Sequence, residues 1–404
     1  MKLDYSYLIV IFLLILAGFI AIYSSTYRID TELVRNNFYK QLVWFFVGVI
    51  CVLVIVYLPL KFFYHFAFFF YGISIILLAL VLFIGKDTGG SSRWISIKYF
   101  NNIAFQPSEF AKISTVILLG RFLSSKKVNL SSLKDILITL TIVLIPLLLI
   151  IKEPDLSTAF VFIALLIPVL IWNNIPINYI LFFSFLLISV LVIAILNLYF
   201  LIGWVFLVSL MTYLWQRKLI LVSVVLILNL GVGILTPVLW NGLESYQKQR
   251  IKAFIDPGKD PKGAGYQVLQ SQTAIGSGGI TGKGFLKGTQ TQLRFLPAQH
   301  TDFVFSVIGE EFGFLGVCSI LVLFLIFILK GINFALSARS KFGEVIAIGF
   351  TSIFLFQIFV NIGMNVGIMP VTGLPLPLMS YGGSSFLSTM LMIGLLINVS
   401  MKKK

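Results

Sequence analysis

The stretch Gly288–Gly313, GTQTQLRFLPAQHTDFVFSVIGEEFG, sets His300, Thr301 and Asp302 where a long polar loop enters a strongly apolar segment. A carboxylate at a membrane surface is costly unless it is solvated, paired or used. Asp302 has two readings: a cap for the helix that follows, or a general base, which needs a nearby hydroxyl and a pKa suited to its working pH. Upstream, Ile275–Gly288, IGSGGITGKGFLKG, is dense in glycine and carries Lys283. Glycines let backbone N–H groups approach phosphate oxygens closely. The segment is not a P-loop, because Ser277 replaces the first glycine and Gly284 follows Lys283. Amides, glycines and cations beside a carboxylate suit a phosphorylated lipid.

Other chemistry-bearing residues fall into short clusters. In Gly89–Lys112, GGSSRWISIKYFNNIAFQPSEFAK, Pro107 opens a helix and Glu109 lies in its first turn. Glu109 and Lys112 share one face, either as an ion pair or as a polar wall beside a groove. Arg93 next to Trp94 suits an interfacial anchor or a phosphate contact flanked by a ring. In KEPDLS, Lys152–Ser157, Asp155 and Ser157 are read as caps for the next helix. YQKQRIKAF presents Lys248, Arg250 and Lys252, a solvated basic face or an attraction for anionic head groups. Gly363–Ser385, GMNVGIMPVTGLPLPLMSYGGSS, is broken by Pro370, Pro375 and Pro377. Such irregular backbone at membrane depth is tolerated where it is buried in protein or lines a cavity.

The elements that must hold these residues are membrane spans. Of 404 residues, 59% are hydrophobic and 11% charged, and the mean hydropathy is +1.02. This is an all-α polytopic membrane protein; a barrel would alternate in short strands. The whole chain, 1–404, reads as one integral membrane domain with no room for a soluble catalytic domain. Spans are expected near 7–24, 41–58, 64–84, 107–123, 135–151, 156–173, 178–198, 199–215, 219–240, 303–329, 343–365 and 381–399. The run that follows Asp302, 303–329, exceeds what a bilayer needs, so Glu310 and Glu311 are expected to project to the interface and pair with loop cations.

The net charge of +15 reflects basic residues on cytoplasmic loops, not nucleic-acid binding. Lys61, Lys126, Lys127, Lys134, Arg217, Lys218, Lys330, Arg339 and Lys341 fall on one side, which makes both termini cytoplasmic and 241–302 a large, packed extracytoplasmic loop. Cys51 and Cys318 read as free thiols in apolar runs. His65 and His300 are too few for a histidine metal cluster, and no metal ligand set is assigned.

In chain order, SSRWI, FQPSEFAK, EPDLST, DPKGAGYQVLQSQTAIGSGG, LPAQHTDFVFSVIGEE and PLPLMSYGGSS resemble the SEDS family, which includes RodA, FtsW and SpoVE. The resemblance runs from the first span to the last, and GKGFLKGTQTQLRFLP is more similar to the RodA branch. It implies a SEDS-like bundle of about 10–12 helices and a peptidoglycan glycosyltransferase that polymerises lipid II at the outer face of the bacterial cytoplasmic membrane, releasing undecaprenyl pyrophosphate. It also implies that the family's essential aspartate is Asp302. The expected substrate-binding set is Arg93, Trp94, Gln106, Ser108, Glu109, Lys112, Lys248, Arg250, Gln270, Lys283, His300, Thr301 and Ser380. Implied partners are a class B penicillin-binding protein and other rod-complex membrane proteins. No cofactor is assigned beyond a divalent cation such as Mg2+ that would share the neutralisation of pyrophosphate. Family members typically have ten spans, and 178–240 holds about two further apolar runs. A lipid II flippase or a noncatalytic scaffold for a transpeptidase are the competing functions; polar motifs gathered on the outer side favour the enzyme.

Overall fold

In lipid, every backbone N–H must find its carbonyl inside the protein, so long apolar runs become helices. The computed structural model describes residues 4–27, 36–85, 93–97, 103–176, 203–210, 240–256 and 263–401, with isolated positions between 223 and 258. The chain divides into two compact units, Met1–Trp172 with Gln249–Lys404, and Asn173–Lys248. In the second unit, residues 203–210 are helical. The expected spans 178–198 and 219–240 lie almost wholly outside the described residues, as do Gly89–Ser92 and the Lys402–Lys404 tail.

The first unit contains α1 (Tyr5–Thr26), α2 (Asn37–Tyr57), α3 (Leu60–His65), α4 (Ala67–Ile84), β1 (Ile95–Ile97), β2 (Ile103–Phe105), α5 (Pro107–Leu123), α6 (Leu133–Lys152) and α7 (Leu156–Trp172). Then follow α8 (Ser245–Ile255, which begins in the second unit), α9 (Ala264–Ser277), α10 (Thr289–Gln292), α11 (Val304–Ser337), α12 (Lys341–Val366) and α13 (Gly383–Met401). Among the described residues, seven helices are long and apolar enough to cross a membrane: α1, α2, α4, α6, α11, α12 and α13. The shorter α7 is also apolar. Phe46, Leu53, Phe83, Leu148 and Leu325 are exposed along these helices, which suits lipid and would be a liability in water. The chain is a multi-pass membrane protein.

Buried α12 and α13 form the centre. Helix α12 packs on α5, α7 and α11, and α13 packs on α2. Close approach is built in at Gly349, where a Cβ would lie 2.8 Å from Val116 of α5. The all-helical expectation needs one addition. β1 and β2 pair antiparallel, Ile95 with Phe105 and Ile97 with Ile103. This hairpin leads into α5, whose start carries Pro107 at a position where a missing N–H costs nothing.

Helix α11 is broken near its start. Gly313 has φ 65° and ψ −159°, and a Cβ there would lie 2.3 Å from the nitrogen of Gly282. A break leaves carbonyl and N–H groups without helical partners. The glycine segment supplies them: Lys283 and Gly284 donate to the carbonyls of Glu310 and Glu311 at 3.0 and 2.9 Å, while Phe314 and Leu315 donate to Gly279 and Ile280 at 2.9 and 3.1 Å. Two amides expected to cradle phosphate are thus used to mend a helix. Val268 and Leu296, from the polar stretch ahead of α11, pack with Phe303, Met364 and Val371 in one buried cluster.

Candidate active site

Asp302 ends the polar segment, and Phe303 rather than Asp302 is the residue capping α11. That removes the simple capping reading. Its backbone carbonyl accepts from Asn361 Nδ2 at 3.0 Å and Asn365 Nδ2 at 3.1 Å, both on α12. Asn361 also donates to Leu374 O at 2.8 Å, tying the proline-broken segment to the same point. Below, Ser306 Oγ donates to Asn365 Oδ1 at 2.6 Å and Ser271 Oγ donates to the Asn365 carbonyl at 2.6 Å. Each amide is satisfied, so this buried network fixes the Asp302 backbone instead of weakening the core. Asn361 and Asn365 were not among the expected site residues. Two asparagines four apart on one apolar helix are the signal that marks them.

The Asp302 side chain is half-buried and faces Gly373. A Cβ at Gly373 would stand 3.5 Å from Asp302 Oδ2 and 3.8 and 3.9 Å from the two terminal nitrogens of Arg250. Arg250 is steered by the broken segment, its Nη1 donating to Thr372 O at 3.0 Å. Ser157, expected only to cap α7, donates to the same carbonyl at 2.6 Å. Burial raises the Asp302 carboxyl above the ordinary aspartate range; the charges of Arg250 and Arg93 and a hydrogen bond from Thr301 pull it back only in part.

Arg93 reaches this group from the hairpin side. Its Nη1 lies 3.3 Å from Asp155 Oδ2, and Gln106 Nε2 donates to the same oxygen at 3.3 Å. Asp155 does cap α7, accepting from Thr158 N at 3.2 Å. It is therefore both a cap and the anchor of an arginine. His300 is half-buried, its ring 5.8 Å from Tyr381 and its carbonyl bonded to Tyr381 N at 2.9 Å. Burial lowers its pKa, which favours the neutral imidazole at neutral pH. The structure thus brings together Asp302, Thr301, Arg250, Arg93 and Gln106.

Several expected contacts lie elsewhere. Lys112 is fully buried, its ammonium 2.8 Å from Glu109 Oε1, and Ser388 Oγ donates to Glu109 Oε2 at 2.5 Å. This is an ion pair within α5, buried against α13, not a wall facing a groove; a buried charge is costly unless it is paired. Ser108 is likewise fully buried. Ser380 is buried and accepts from Leu376 N at 2.8 Å, stitching the proline turn. Lys283 Nζ sits 2.8 Å from Glu310 Oε1 and bonds Thr289 Oγ1 at 2.7 Å, so its charge answers a buried carboxylate. Lys248 belongs to the second unit, where it donates to Asn241 O at 3.0 Å. Trp94 is half-buried at the start of the hairpin, and Gln270 is half-buried on α9.

Asp302 faces the charges of two arginines and Asp155 is engaged by Arg93, which does not make an oxygen cage for Mg2+. Among the described residues no three His, Cys, Asp or Glu side chains gather as metal ligands.

A buried carbonyl-gripping network, a half-buried aspartate and two arginines beside irregular backbone make a polar group whose cations suit an anion. The chain belongs to the FtsW/RodA/SpoVE family of cell cycle proteins, whose profile matches residues 4–218 and 198–404. It is 37% identical over 358 residues to the peptidoglycan glycosyltransferase MrdB of Escherichia coli strain K12, covering 88% of this chain and 84% of that protein. It is 32% identical to the peptidoglycan glycosyltransferase RodA of Treponema pallidum strain Nichols, covering 99% and 98%. A solved chain described under structural coordination of polymerization and crosslinking by a peptidoglycan synthase complex matches with a TM-score of 0.74 and 26% identity, covering 99% of this chain and 98% of that one.

Proposed function

We infer that this chain is a peptidoglycan glycosyltransferase acting on a polyprenyl-pyrophosphate-linked glycan, lipid II, with Asp302 as the general base. The observation that carries this reading is Asp302 itself: a carboxylate with a raised pKa, held by its backbone between two asparagines and facing Arg250 across Gly373. The carboxylate takes the proton from the acceptor sugar's 4-hydroxyl as its oxygen attacks the donor's anomeric carbon. The bond to pyrophosphate breaks from the opposite face, inverting that carbon. Glycosidases commonly use a second carboxyl to protonate the leaving group. Pyrophosphate leaves as a stable anion and needs cations instead; Arg93 and Arg250 supply them.

In this reading the site opens to the outer face of the bacterial cytoplasmic membrane and both termini are cytoplasmic. The match to a chain of a peptidoglycan synthase complex supports a class B penicillin-binding protein as partner, joining polymerisation to cross-linking within a rod-elongation assembly.

The test is a pH profile of lipid II polymerisation. A general base works only when ionised, so the rate falls as pH drops through its pKa. Burial raises that pKa above 3.8, so the acid limb is expected at higher pH than for an exposed aspartate. Arg250 lowers the pKa; Arg250→Gln therefore moves the limb upward, and the variant loses most at mildly acidic pH. An acid limb that stays put in Arg250→Gln contradicts the pairing.

Gly373→Ala is expected to slow polymerisation about 10-fold by straining the segment whose Thr372 carbonyl orients Arg250 beside Asp302. Gly373 has φ 77°, where an alanine costs about 1–2 kcal/mol. Initial rates at saturating lipid II decide this, and a wild-type rate from the folded variant would show that this orientation is unimportant.

A further inference from the structure

The turn between α6 and α7 holds a carboxyl that the mechanism above does not use. Glu153 is completely buried, and neither of its oxygens has a hydrogen-bond partner. A buried carboxylate without donors is strongly disfavoured, so the neutral acid is the form this pocket accepts. The charges acting on it are Asp155, two residues on, and Arg93; Lys152, one residue before, is exposed. Arg93 is bonded to Asp155 at 3.3 Å, its Nε is buried without a partner, and its charge also acts on Asp302. One guanidinium thus stands among three carboxyl groups, two from a single turn and one the proposed base.

We propose that Glu153 is a positioning residue for the glycosyl transfer, whose own charge decides whether Arg93 serves Asp302 or is drawn wholly to the 153–155 turn. With Glu153 neutral, Asp155 alone holds Arg93, and the guanidinium still acts on Asp302 and on a leaving pyrophosphate. With Glu153 ionised, two carboxylates on one turn claim the same cation. Asp302 then loses a neighbouring positive charge and the departing anion loses a donor. Burial, helped by Asp155 and opposed by Arg93, pushes the Glu153 carboxyl up to about 8, so the change falls just above neutral pH. Glu153 touches no reacting atom; it acts through Arg93.

This inference rests on the glycosyltransferase reading, and two measurements separate their failures. The first is the rate of lipid II polymerisation by the full chain from neutral to alkaline pH. The wild type is expected to lose about tenfold through a limb near pH 8. Glu153→Gln, neutral at every pH, is expected to match the wild type at neutral pH and to lack that limb. The same limb in both proteins overturns the proposal. So does a folded Glu153→Gln that is slow at every pH, since that marks a merely structural carboxyl. The second is infrared difference spectroscopy of wild type against Glu153→Gln, which needs no turnover. A protonated-carboxyl band, present at neutral pH and lost near pH 8, is expected in the wild type only. Its absence at neutral pH overturns the proposal even if polymerisation behaves as expected. No polymer at any pH counts against the glycosyltransferase reading, while the band still reports on Glu153.

Discussion

Asp302→Asn is expected to lower the rate of lipid II polymerisation by about 10²–10⁴-fold while leaving the fold intact. Asparagine keeps the size of the side chain and the backbone carbonyl that Asn361 and Asn365 hold. It also relieves the desolvation that raises the carboxyl's pKa, so the variant should melt no lower than the wild type. What it loses is the ability to accept a proton. The lost activity should appear in the turnover rate, with little change in the concentration of lipid II that half-saturates the enzyme. A variant that polymerises within about threefold of wild type would remove Asp302 from the role of base.

The second large effect lies away from the reacting atoms. Glu310 is buried and accepts from Lys283 Nζ at 2.8 Å, Gln290 N at 2.8 Å, Thr291 N at 2.9 Å and Thr291 Oγ1 at 2.7 Å. One carboxylate thus holds a cation and the start of α10 against the broken turn of α11. Glu310→Ala leaves two amides and the hydroxyls of Thr289 and Thr291 without this acceptor and a half-buried ammonium without its charge partner. Breaking such a pair costs about 3 kcal/mol or more. The expected result is a clearly lowered melting temperature in detergent and early protease cleavage between Lys283 and Gln292. Glu310→Gln keeps one carbonyl acceptor and should fall between. Wild-type melting and protease resistance in Glu310→Ala would mean that the loop is held by other contacts.

Much of this architecture is legible in the chain because its signals are local. Pro107 and the Glu109–Lys112 spacing mark α5 as Pro107–Leu123, the span read from the sequence alone. Asp155 is recognisable as a cap because capping needs only the next turn. The expected pairing of Glu310 with a loop cation is the Lys283 contact. The same contact shows what the sequence hides about Lys283: a lysine in a glycine loop looks free until the carboxylate it meets, 27 residues away, is known. The glycine loop misleads for a similar reason. Its amides suit phosphate in isolation, but Gly313 breaks α11 opposite them, and Lys283 N and Gly284 N donate to the freed carbonyls of Glu310 and Glu311. Lys112 depends on packing: only the approach of α13 with Ser388 turns a helical face into an interior. Asn361 and Asn365 carry a readable spacing, yet their partner, the Asp302 carbonyl, lies about 60 residues back and no periodicity points to it.

The most direct test of the account is lipid II polymerisation in detergent micelles by the purified chain with its class B transpeptidase partner. Micelles offer no second face, so moving lipid II across a membrane produces nothing there. Glycan strands, resolved as a ladder on a gel, are the expected product. The same preparation yielding no strands in micelles, while it carries lipid II across vesicle bilayers, would contradict it.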